Sequence, residues 1–367
     1  MGSVWGNALK ISVFGESHGN GIGVVLDGFP AGVPFDENFV LSEMARRAPG
    51  KNKQSTARRE ADLPRILSGT YNGFTAGTPV CAIIENTDTR SGDYKDFSNQ
   101  PRPGHADYTG ALRYHSFNDP RGGGHFSGRL TAPLVFAGAL CKLFLKSKGV
   151  SIGAHIQSIA QIQDMPFDDT AVTVDEIEAL RLQPYPVRNP RAEEAMLAAI
   201  EEARLDGDSV GGVIECAAVG LPAGLGSPML DTVEGRLSSL LFAVPAVKGV
   251  EFGAGFGFAG LRGSHANDPF CLDASGVVRT ETNNNGGVLG GITNGMPLLF
   301  RVAIKPTPSI SHRQETLDLS SGQVTPFTVK GRHDPCIVTR AAPVVEAACA
   351  VALTDLYLEG YGYARSE

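Results

Sequence analysis

The chain has 367 residues, 42% of them hydrophobic and 19% charged, which is enough apolar material for a large buried core. Its net charge of −7 excludes a basic coat for nucleic acid or anionic membranes, so any arginine-rich site must be local. Its six cysteines include no CxxC pair and no apolar run approaches about eighteen residues, which excludes a zinc ribbon and favours a cytoplasmic protein.

The hydrophobic pattern predicts strands and helices that alternate irregularly, which is typical of the α+β class. The predicted strands are Lys10–Phe14, Gly23–Leu26, Val80–Glu85, Val213–Ala218, Val247–Phe252 and Leu298–Ile304. The predicted helices are Asp36–Arg47, Thr131–Lys148, Thr173–Leu182, Ala192–Leu205, Leu230–Ala243 and Val344–Tyr357. Two stretches without either pattern, Asn86–Gly104 and Pro306–Gly331, are predicted to be long loops.

An internal duplication is indicated by two pairs of similar segments in the same order. Gly15–Pro34 matches Gly207–Gly226 without a gap at eight of twenty positions. Later in each half, GFTAGTP at Gly73–Pro79 resembles GITNGMP at Gly291–Pro297. We therefore expect a single domain, 1–367, built from two related α/β halves of approximately 10–150 and 205–350 about a pseudo-twofold axis.

The first motif, GESHG at Gly15–Gly19, follows a predicted strand. The strand would present His18 at its end, with the Ser17 hydroxyl beside it to donate to an anion. A capped turn with a surface histidine explains the same five residues equally well.

The second motif runs from RPGHADYT through RGGGHFSGRLTA, Arg102–Ala132, into the helix predicted from Thr131. A helix N-terminus has unpaired N–H groups and a positive dipole end, which suit phosphate or carboxylate. Two arginines, a serine and glycine amides would add donors there. His105 supplies an imidazole that can accept or donate a proton, and Asp107 is placed either to cap a turn or to orient a histidine. A flexible loop with a helix cap remains the alternative.

The third motif, GRHDPC at Gly331–Cys336, places Asp334 directly before a proline, which holds its backbone extended. The preceding Arg332 and His333 favour an ionised carboxylate in a site, although a structural cap is common for Asp-Pro. FGAGFGFAG at Phe252–Gly260 resembles a dinucleotide fingerprint only loosely, because no clear helix follows it.

Taken together, the three motifs match the signature regions of the chorismate synthase family. The segments RRAPGK, ENTDTRSGDY, GDSVGG, PAVKGVEFG, GGVLGGITNG and KPTPSI also follow in the family's order. The resemblance extends from Trp5 to Leu358.

This resemblance implies a β-α-β sandwich, with helices packed between antiparallel sheets. It implies the conversion of 5-enolpyruvylshikimate 3-phosphate to chorismate and phosphate by anti-1,4-elimination, the last step of the shikimate pathway and a lyase reaction (EC 4.2.3.5). The family requires reduced FMN, although the reaction is redox-neutral. The substrate carries one phosphate and two carboxylates, in agreement with an arginine-rich anion site.

The resemblance also implies roles for individual residues. His18 looks like the acid that serves the departing phosphate, and His105 like the histidine that protonates or stabilises reduced flavin near N1. Asp334 resembles the carboxylate that works with flavin N5 in removing the substrate's C6 proton, while Ser17 and Ser127 support these networks. The flavin contacts would be His125, Phe126, Ser127, Pro245, Ala246, Gly290, Lys305, Pro306, Thr307, Pro308, Ser309 and Arg332. The polyanion contacts would be Arg47, Lys53, Arg121, Arg129 and Arg340.

The chain departs from the common family pattern at four positions. Many members have arginine at Ala48 and Lys53, others have arginine at His125 or asparagine at Pro245. Arg47 also ends a predicted helix, where a cation at the negative dipole end explains it without a ligand.

The family implies NADPH as ultimate reductant, an external flavin reductase and a homotetramer, none of which the residues themselves indicate. Two other functions are open on the residues alone. One is a metal-assisted hydrolase that uses His18, His105, His125 and Asp334, and the other is an anion-binding module without catalysis.

Overall fold

The computed structural model describes residues 2–49, 60–87, 99–329 and 334–362. Lys53 and Arg332 of the predicted site lie outside these ranges. So does most of the predicted loop Asn86–Gly104.

Antiparallel strands form two five-stranded sheets and several short hairpins in the described part of the chain. The strands are β1 Val4–Trp5, β2 Lys10–Gly15, β3 Gly21–Asp27, β4 Pro64–Ser68, β5 Thr70–Tyr71, β6 Phe74–Thr75, β7 Val80–Glu85, β8 Ser151–Ile159, β9 Ile162–Gln163, β10 Gly212–Val219, β11 Val247–Phe252, β12 Phe270–Leu272, β13 Val278–Thr280, β14 Val288–Leu289, β15 Ile292–Thr293, β16 Leu298–Ile304, β17 Gln314–Asp318 and β18 Gln323–Phe327. The first sheet has the order β1-β2-β3-β7-β4 and the second β11-β16-β10-β8-β9.

The helices of the described residues include two that are buried almost throughout. They are α1 Glu37–Arg47, α2 Asp107–Arg113, α3 Thr131–Lys146, α4 Val174–Arg181, α5 Pro190–Leu205, α6 Val233–Leu241, α7 Gly263–Ala266 and α8 Ala342–Tyr361. α3 and α8 are apolar on all sides and pack against each other between the sheets. The predicted α+β sandwich, with helices between antiparallel sheets, is confirmed.

One helical segment of the described residues, Gly128–Lys146, is long and apolar enough to cross a membrane. Within the folded protein, 89% of the apolar stretch of this helix is buried, as is typical of a core helix. Gly138 allows the close approach of α8, because a Cβ there would lie 2.3 Å from the Cβ of Ala347.

The two halves use corresponding strands in the same order. The series β2, β3, α1, β4, β7, α3 in the first half parallels β8, β10, α6, β11, β16, α8 in the second. Thr75 Oγ1 donates to the carbonyl of Pro30 and accepts from Val33 N–H. Thr293 makes the same two hydrogen bonds, to Pro222 and from Leu225. We propose on this basis that the chain is one domain with an internal duplication.

The six predicted strands lie within two residues of observed ones, but the loop predicted over Pro306–Gly331 is wrong. It contains the hairpin β17–β18, which packs on the segment before Arg102: Thr316 Oγ1 donates to the carbonyl of Pro101 at 2.5 Å. Its strands are mostly polar and lack apolar alternation, so no pattern indicated them. β8, which lies between β10 and β9 in the second sheet, was also not predicted.

A buried carboxylate, Glu346 of α8, joins the central helices. It accepts hydrogen bonds from Arg46 at 2.6 and 2.7 Å and from Lys142 at 2.5 Å. Burial opposes its ionisation, but these two cations lower its pKa to about 2. The carboxylate is therefore ionised and neutralises positive charge between α1, α3 and α8.

We expect Glu346→Ala to lower the free energy of unfolding by about 3–5 kcal/mol, because it leaves Arg46 and Lys142 to share the single buried carboxylate of Glu43. Urea denaturation at neutral pH measures this. The control is Glu201→Ala, which removes an exposed pair with Arg204 and should change stability by less than about 1 kcal/mol. Equal small losses in both variants would contradict the buried-charge interpretation.

The low pKa of Glu346 predicts that the stability of the fold depends on pH in the acid range. Its folded-state pKa of about 2 lies below the ordinary value of about 4.3, so its contribution to stability is present above about pH 4. That contribution is lost as the pH falls towards 2. We expect Glu346→Gln to flatten the acid limb of the stability curve, measured as urea midpoint against pH.

Candidate active site

The first motif forms the turn between β2 and β3, so these strands hold Ser17 and His18 at one end of the first sheet. Ser17 is fully buried, and its backbone N–H donates to the carbonyl of Gly124 at 3.1 Å. The second motif therefore lies directly against the first.

The glycine loop (Arg121–Phe126) contacts His18 because it has no side chains at its centre. Its three consecutive glycines have φ angles of +60°, +84° and +54°, a left-handed conformation that glycine adopts without strain. A Cβ at Gly122 would lie 2.0 Å from His18 Nδ1 and 2.9 Å from Ser17 Oγ. Only a glycine allows this approach.

His105 lies against the next residue of the same loop. A Cβ at Gly123 would be 3.2 Å from both Nε2 and Cε1 of His105, and 3.8 Å from the Cβ of Ser127. Adjacent backbone positions thus contact two histidines that the sequence places in separate motifs. The loop brings His18 and His105 together.

Arg102, His105 and Asp107 form a compact charged group at the start of α2. Arg102 donates to both carboxylate oxygens of Asp107 at 2.7 Å, and His105 Nδ1 lies 2.7 Å from the same carboxylate. Burial opposes the ionisation of Asp107, but the hydrogen bonds from Arg102 and His105 hold its pKa well below the usual range. Asp107 is therefore a carboxylate at neutral pH.

The segment Lys305–Ser309 is attached to this group from the second half of the chain. Lys305 Nζ donates to the carbonyl of Gly104 at 2.5 Å, and Arg102 Nη1 donates to Ser309 Oγ at 3.3 Å. Lys305 N–H donates to the carbonyl of Ala246 at 2.9 Å. The segment Lys305–Ser309 thus contacts both the group that holds His105 and Ala246, another predicted flavin contact.

Arg47 and Arg129 are buried on either side of one carboxylate, Asp62. Arg47 bonds to Asp62 at 2.5 Å, and Arg129 forms ion pairs with Asp62 and, at 3.0 Å, with Glu60. Burial lowers the pKa of Arg47 to about 10 against the attraction of Asp62, and repulsion by Arg340 and Arg129 adds to the lowering. Three cations therefore share one region.

Asn86 connects this arginine group to the first motif. Its amide donates to the carbonyls of Glu16 at 2.9 Å and Gly19 at 3.0 Å, and its oxygen accepts from Arg129 Nε at 3.1 Å. The hydrogen bonds fix the guanidinium of Arg129 relative to the turn that carries His18.

Asp334 of the third motif forms an ion pair with Arg340. The next residue, Pro335, accepts from Val210 N–H at 2.8 Å. Ser209 Oγ in turn donates to the carbonyl of Thr307 at 2.7 Å. Asp334 thus adjoins the segment that contacts Arg102, and hydrogen bonds connect all three motifs.

Some predicted site residues face elsewhere. Arg121 is largely exposed and pairs with Asp119 at 2.7 Å. Phe126 packs on Tyr114, with ring centroids 6.2 Å apart. His125 Nδ1 lies 2.9 Å from the carbonyl of Gly15, a contact in which the ring nitrogen donates. The predicted positions therefore include one cation that points to solvent.

Asp62, Glu60 and Asn86, which bond to the site arginines, were not predicted. They lie outside the three motifs, and their roles follow from tertiary contacts that a sequence pattern does not show. The signals available for Asn86 were its position directly after β7 and within the family segment ENTDTRSGDY.

The metal-hydrolase alternative has no support in the geometry. Among the residues that the structure describes, no three His, Cys, Asp or Glu side chains are grouped so as to hold a metal ion. His18 and His105 instead lie on either side of a loop backbone.

Comparison with known proteins gives the family. A sequence model described as chorismate synthase matches residues 9–358. The chain belongs to the chorismate synthase family. Its activity is accordingly that of a carbon–oxygen lyase (EC 4.2.3.5) in the shikimate pathway, as the motifs predicted.

Individual relatives of the chorismate synthase family cover nearly the whole chain. The "Chorismate synthase" of Thermococcus kodakarensis is 47% identical over 350 residues, 95% of this chain and 96% of the relative. That of Methanocella arvoryzae is 46% identical over 361 residues, 98% of this chain and 95% of the relative. A solved structure, "Crystal Structure of Chorismate Synthase", aligns with a TM-score of 0.74 at 30% identity, covering 97% and 93% of the two chains.

The chorismate synthase family uses reduced flavin, and two observations fit such a group here. Thr307 Oγ1 is buried with no hydrogen-bond partner among the described residues, which leaves a hydroxyl available to a ligand. At Gly290, a Cβ would meet no atom within 4 Å, so the backbone is open to a ligand there.

We expect Gly122→Ala to reduce chorismate formation by at least about 10²-fold, because the new methyl group displaces His18. The matched control is Gly276→Ala, which has φ +80° but no atom within 4 Å of its Cβ position. Both changes impose backbone strain of roughly 1–2 kcal/mol, so thermal melting should shift similarly. Equal turnover in the two variants would mean that the loop does not position His18.

Proposed function

We propose that this chain eliminates phosphate from 5-enolpyruvylshikimate 3-phosphate where the glycine loop meets His18 and His105, with FMN as the reduced flavin. The observation that carries this proposal is that His18 and His105 lie against two adjacent glycines of one loop. When bound, reduced flavin supplies electron density that eases the loss of phosphate from an allylic carbon.

The substrate polyanion is assigned to the buried arginines. Arg47, Arg129 and Arg340 lie close enough to affect one another electrostatically. Their positive charges suit one phosphate and two carboxylates, and bidentate guanidinium contacts fix the orientation of such groups. Lys53 keeps its proposed role, and exposed Arg121 is proposed as a contact at the mouth of the site.

His18 is proposed to donate a hydrogen bond or a proton to the departing phosphate, with Ser17 supporting the same turn. The phosphate leaves with the electron pair of its C–O bond. The existing ring double bond shifts towards that carbon, and the electron pair of the C6–H bond forms the new double bond. The chain must therefore supply a proton donor on one side and a proton acceptor on the other.

Asp334 is proposed to act in the removal of the C6 proton. Its ion pair with Arg340 keeps a carboxylate beside the cations that would hold the substrate. The carbonyl of Pro335, next to Asp334, accepts from Val210 in the second half of the chain, whereas His18 lies in a turn of the first half. We propose on this basis that Asp334 and His18 act on different parts of the substrate.

Flavin binding is assigned to residues around His105, with Ser127 supporting it. The proposed contacts are His125, Phe126, Ser127, Pro245, Ala246, Gly290, Lys305, Pro306, Thr307, Pro308, Ser309 and Arg332. We also propose a cytoplasmic homotetramer that receives reduced flavin from an external reductase, with NADPH as the ultimate reductant.

The assay is anaerobic incubation with the substrate and photoreduced FMN, followed by chorismate absorbance. Turnover that needs reduced FMN supports the proposal. Substrate binding without turnover would instead support the anion-binding module, and loss of activity on chelation would support the metal-dependent hydrolase.

We expect Asp334→Ala to slow turnover by roughly 10²–10⁴, because it removes a proton-transfer group. Flavin affinity, measured by fluorescence, should remain near that of the wild type. Asp273→Ala, in an exposed turn that hydrogen-bonds only to neighbouring residues, serves as the control. A near-normal rate in Asp334→Ala with flavin bound would remove this carboxylate from the mechanism.

A further inference from the structure

The carboxylate of Asp107 lies between a guanidinium and the imidazole of His105, and it is buried with only 7% of its side chain exposed. We infer that Asp107 is a positioning residue: it holds His105 as the Nδ1–H tautomer and so leaves Nε2 for the ligand at the glycine loop. The inference deepens the proposed function and depends on it for the ligand's identity.

The contacts decide which nitrogen carries the proton. Nδ1 lies 2.7 Å from an oxygen of Asp107 and 3.1 Å from Arg102 Nη2. A guanidinium can only donate and an ionised carboxylate can only accept, so Nδ1 cannot satisfy both. The shorter contact to the carboxylate would be repulsive if both atoms presented lone pairs. Nδ1 therefore donates to Asp107.

Arg102 fixes the carboxylate itself. Its Nε and Nη2 bond to the two oxygens of Asp107 at 2.7 Å each, and its backbone N–H donates at 3.0 Å. A forked pair of this kind prevents the carboxylate from rotating away. Arg102 Nη1 also reaches Ser309 Oγ, so the orientation of His105 is coupled to the proposed flavin segment.

The remaining ring nitrogen has a defined direction. Nε2 and Cε1 form the edge of the His105 ring that faces Gly123, each 3.2 Å from the position a Cβ would take there, and the neighbouring Gly122 contacts His18. In the neutral Nδ1–H form, Nε2 is an acceptor, and on protonation it becomes a donor at the same place. Asp107, held in place by Arg102, thus determines which hydrogen bond His105 would offer to the flavin.

The first test needs no cofactor and reads the wild-type protein directly. Long-range ¹H–¹⁵N correlation spectra of histidine-labelled protein distinguish the two neutral tautomers, and His105→Ala identifies the His105 signals. We expect the Nδ1–H pattern. An Nε2–H pattern for His105 in the wild type would overturn the inference, whether or not the protein forms chorismate.

The second test is Asp107→Asn. Arg102 would hold the amide oxygen, so the amide N–H would face Nδ1 and force the Nε2–H tautomer. We expect kcat to fall by roughly 10²–10⁴ with little change in KM, as for a wrong tautomer in other histidine–aspartate pairs. In a His105→Ala background the same substitution should have no further effect.

The control for these variants is Asp164→Asn. Asp164 lies 3.3 Å from the buried His155, outside the site. Like Asp107→Asn, this substitution replaces a buried carboxylate beside a histidine, so we expect a similar loss of stability. It should leave kcat unchanged. If the wild type forms chorismate while Asp107→Asn keeps both its rate and the Nδ1–H tautomer, the positioning inference is wrong and the proposed function stands. If the wild type is inactive with reduced FMN, the proposed function fails, while the tautomer spectrum still decides the inference.

Discussion

Helices α3 and α8 pack so closely that Gly138 has no room for a side chain against Ala347. Each helix begins just after one of the motifs, and a short 3-10 turn at each start carries a site arginine, Arg129 or Arg340. The contact in the middle of the core therefore determines the separation of two cations at its end. Residues more than two hundred positions apart are placed by a single helix–helix contact.

Charge neutralisation inside the protein makes this arrangement stable without a ligand. Buried arginines are tolerated only when carboxylates compensate them. Asp62 does this for Arg47 and Arg129, as Glu346 does for Arg46 and Lys142 deeper in the core. The anion-binding region that we propose is thus pre-formed, and a phosphate that entered it would meet guanidinium groups already held in place.

The sequence predicted the parts of the protein that have local signals. Apolar strands such as Val80–Glu85 and the helix from Thr131 have periodic patterns, and the glycine–histidine motifs are distinctive in composition. β8 was not predicted because polar residues such as His155 and Gln157 interrupt its apolar ones, and β17–β18 because most of its residues are polar. Their positions are set by contacts made elsewhere in the chain.

For the site, the sequence indicated the residues that we propose to react, but not the residues that hold them. His18 and His105 follow from their motifs, whereas the pairing of Asp62 with two arginines depends on a fold that joins three distant segments. The sequence left two roles open for Asp107, which could cap a turn or orient a histidine. The contact with His105 Nδ1 shows the second.

The position of the second half that aligns with His18 is Val210, whose N–H donates to the carbonyl of Pro335, the residue after Asp334. We therefore propose one reaction centre rather than two, to which the first half supplies the histidines and the second half the carboxylate and the Lys305–Ser309 segment. On this proposal, cutting the chain between the halves would yield two fragments of similar fold, neither of them with a complete site.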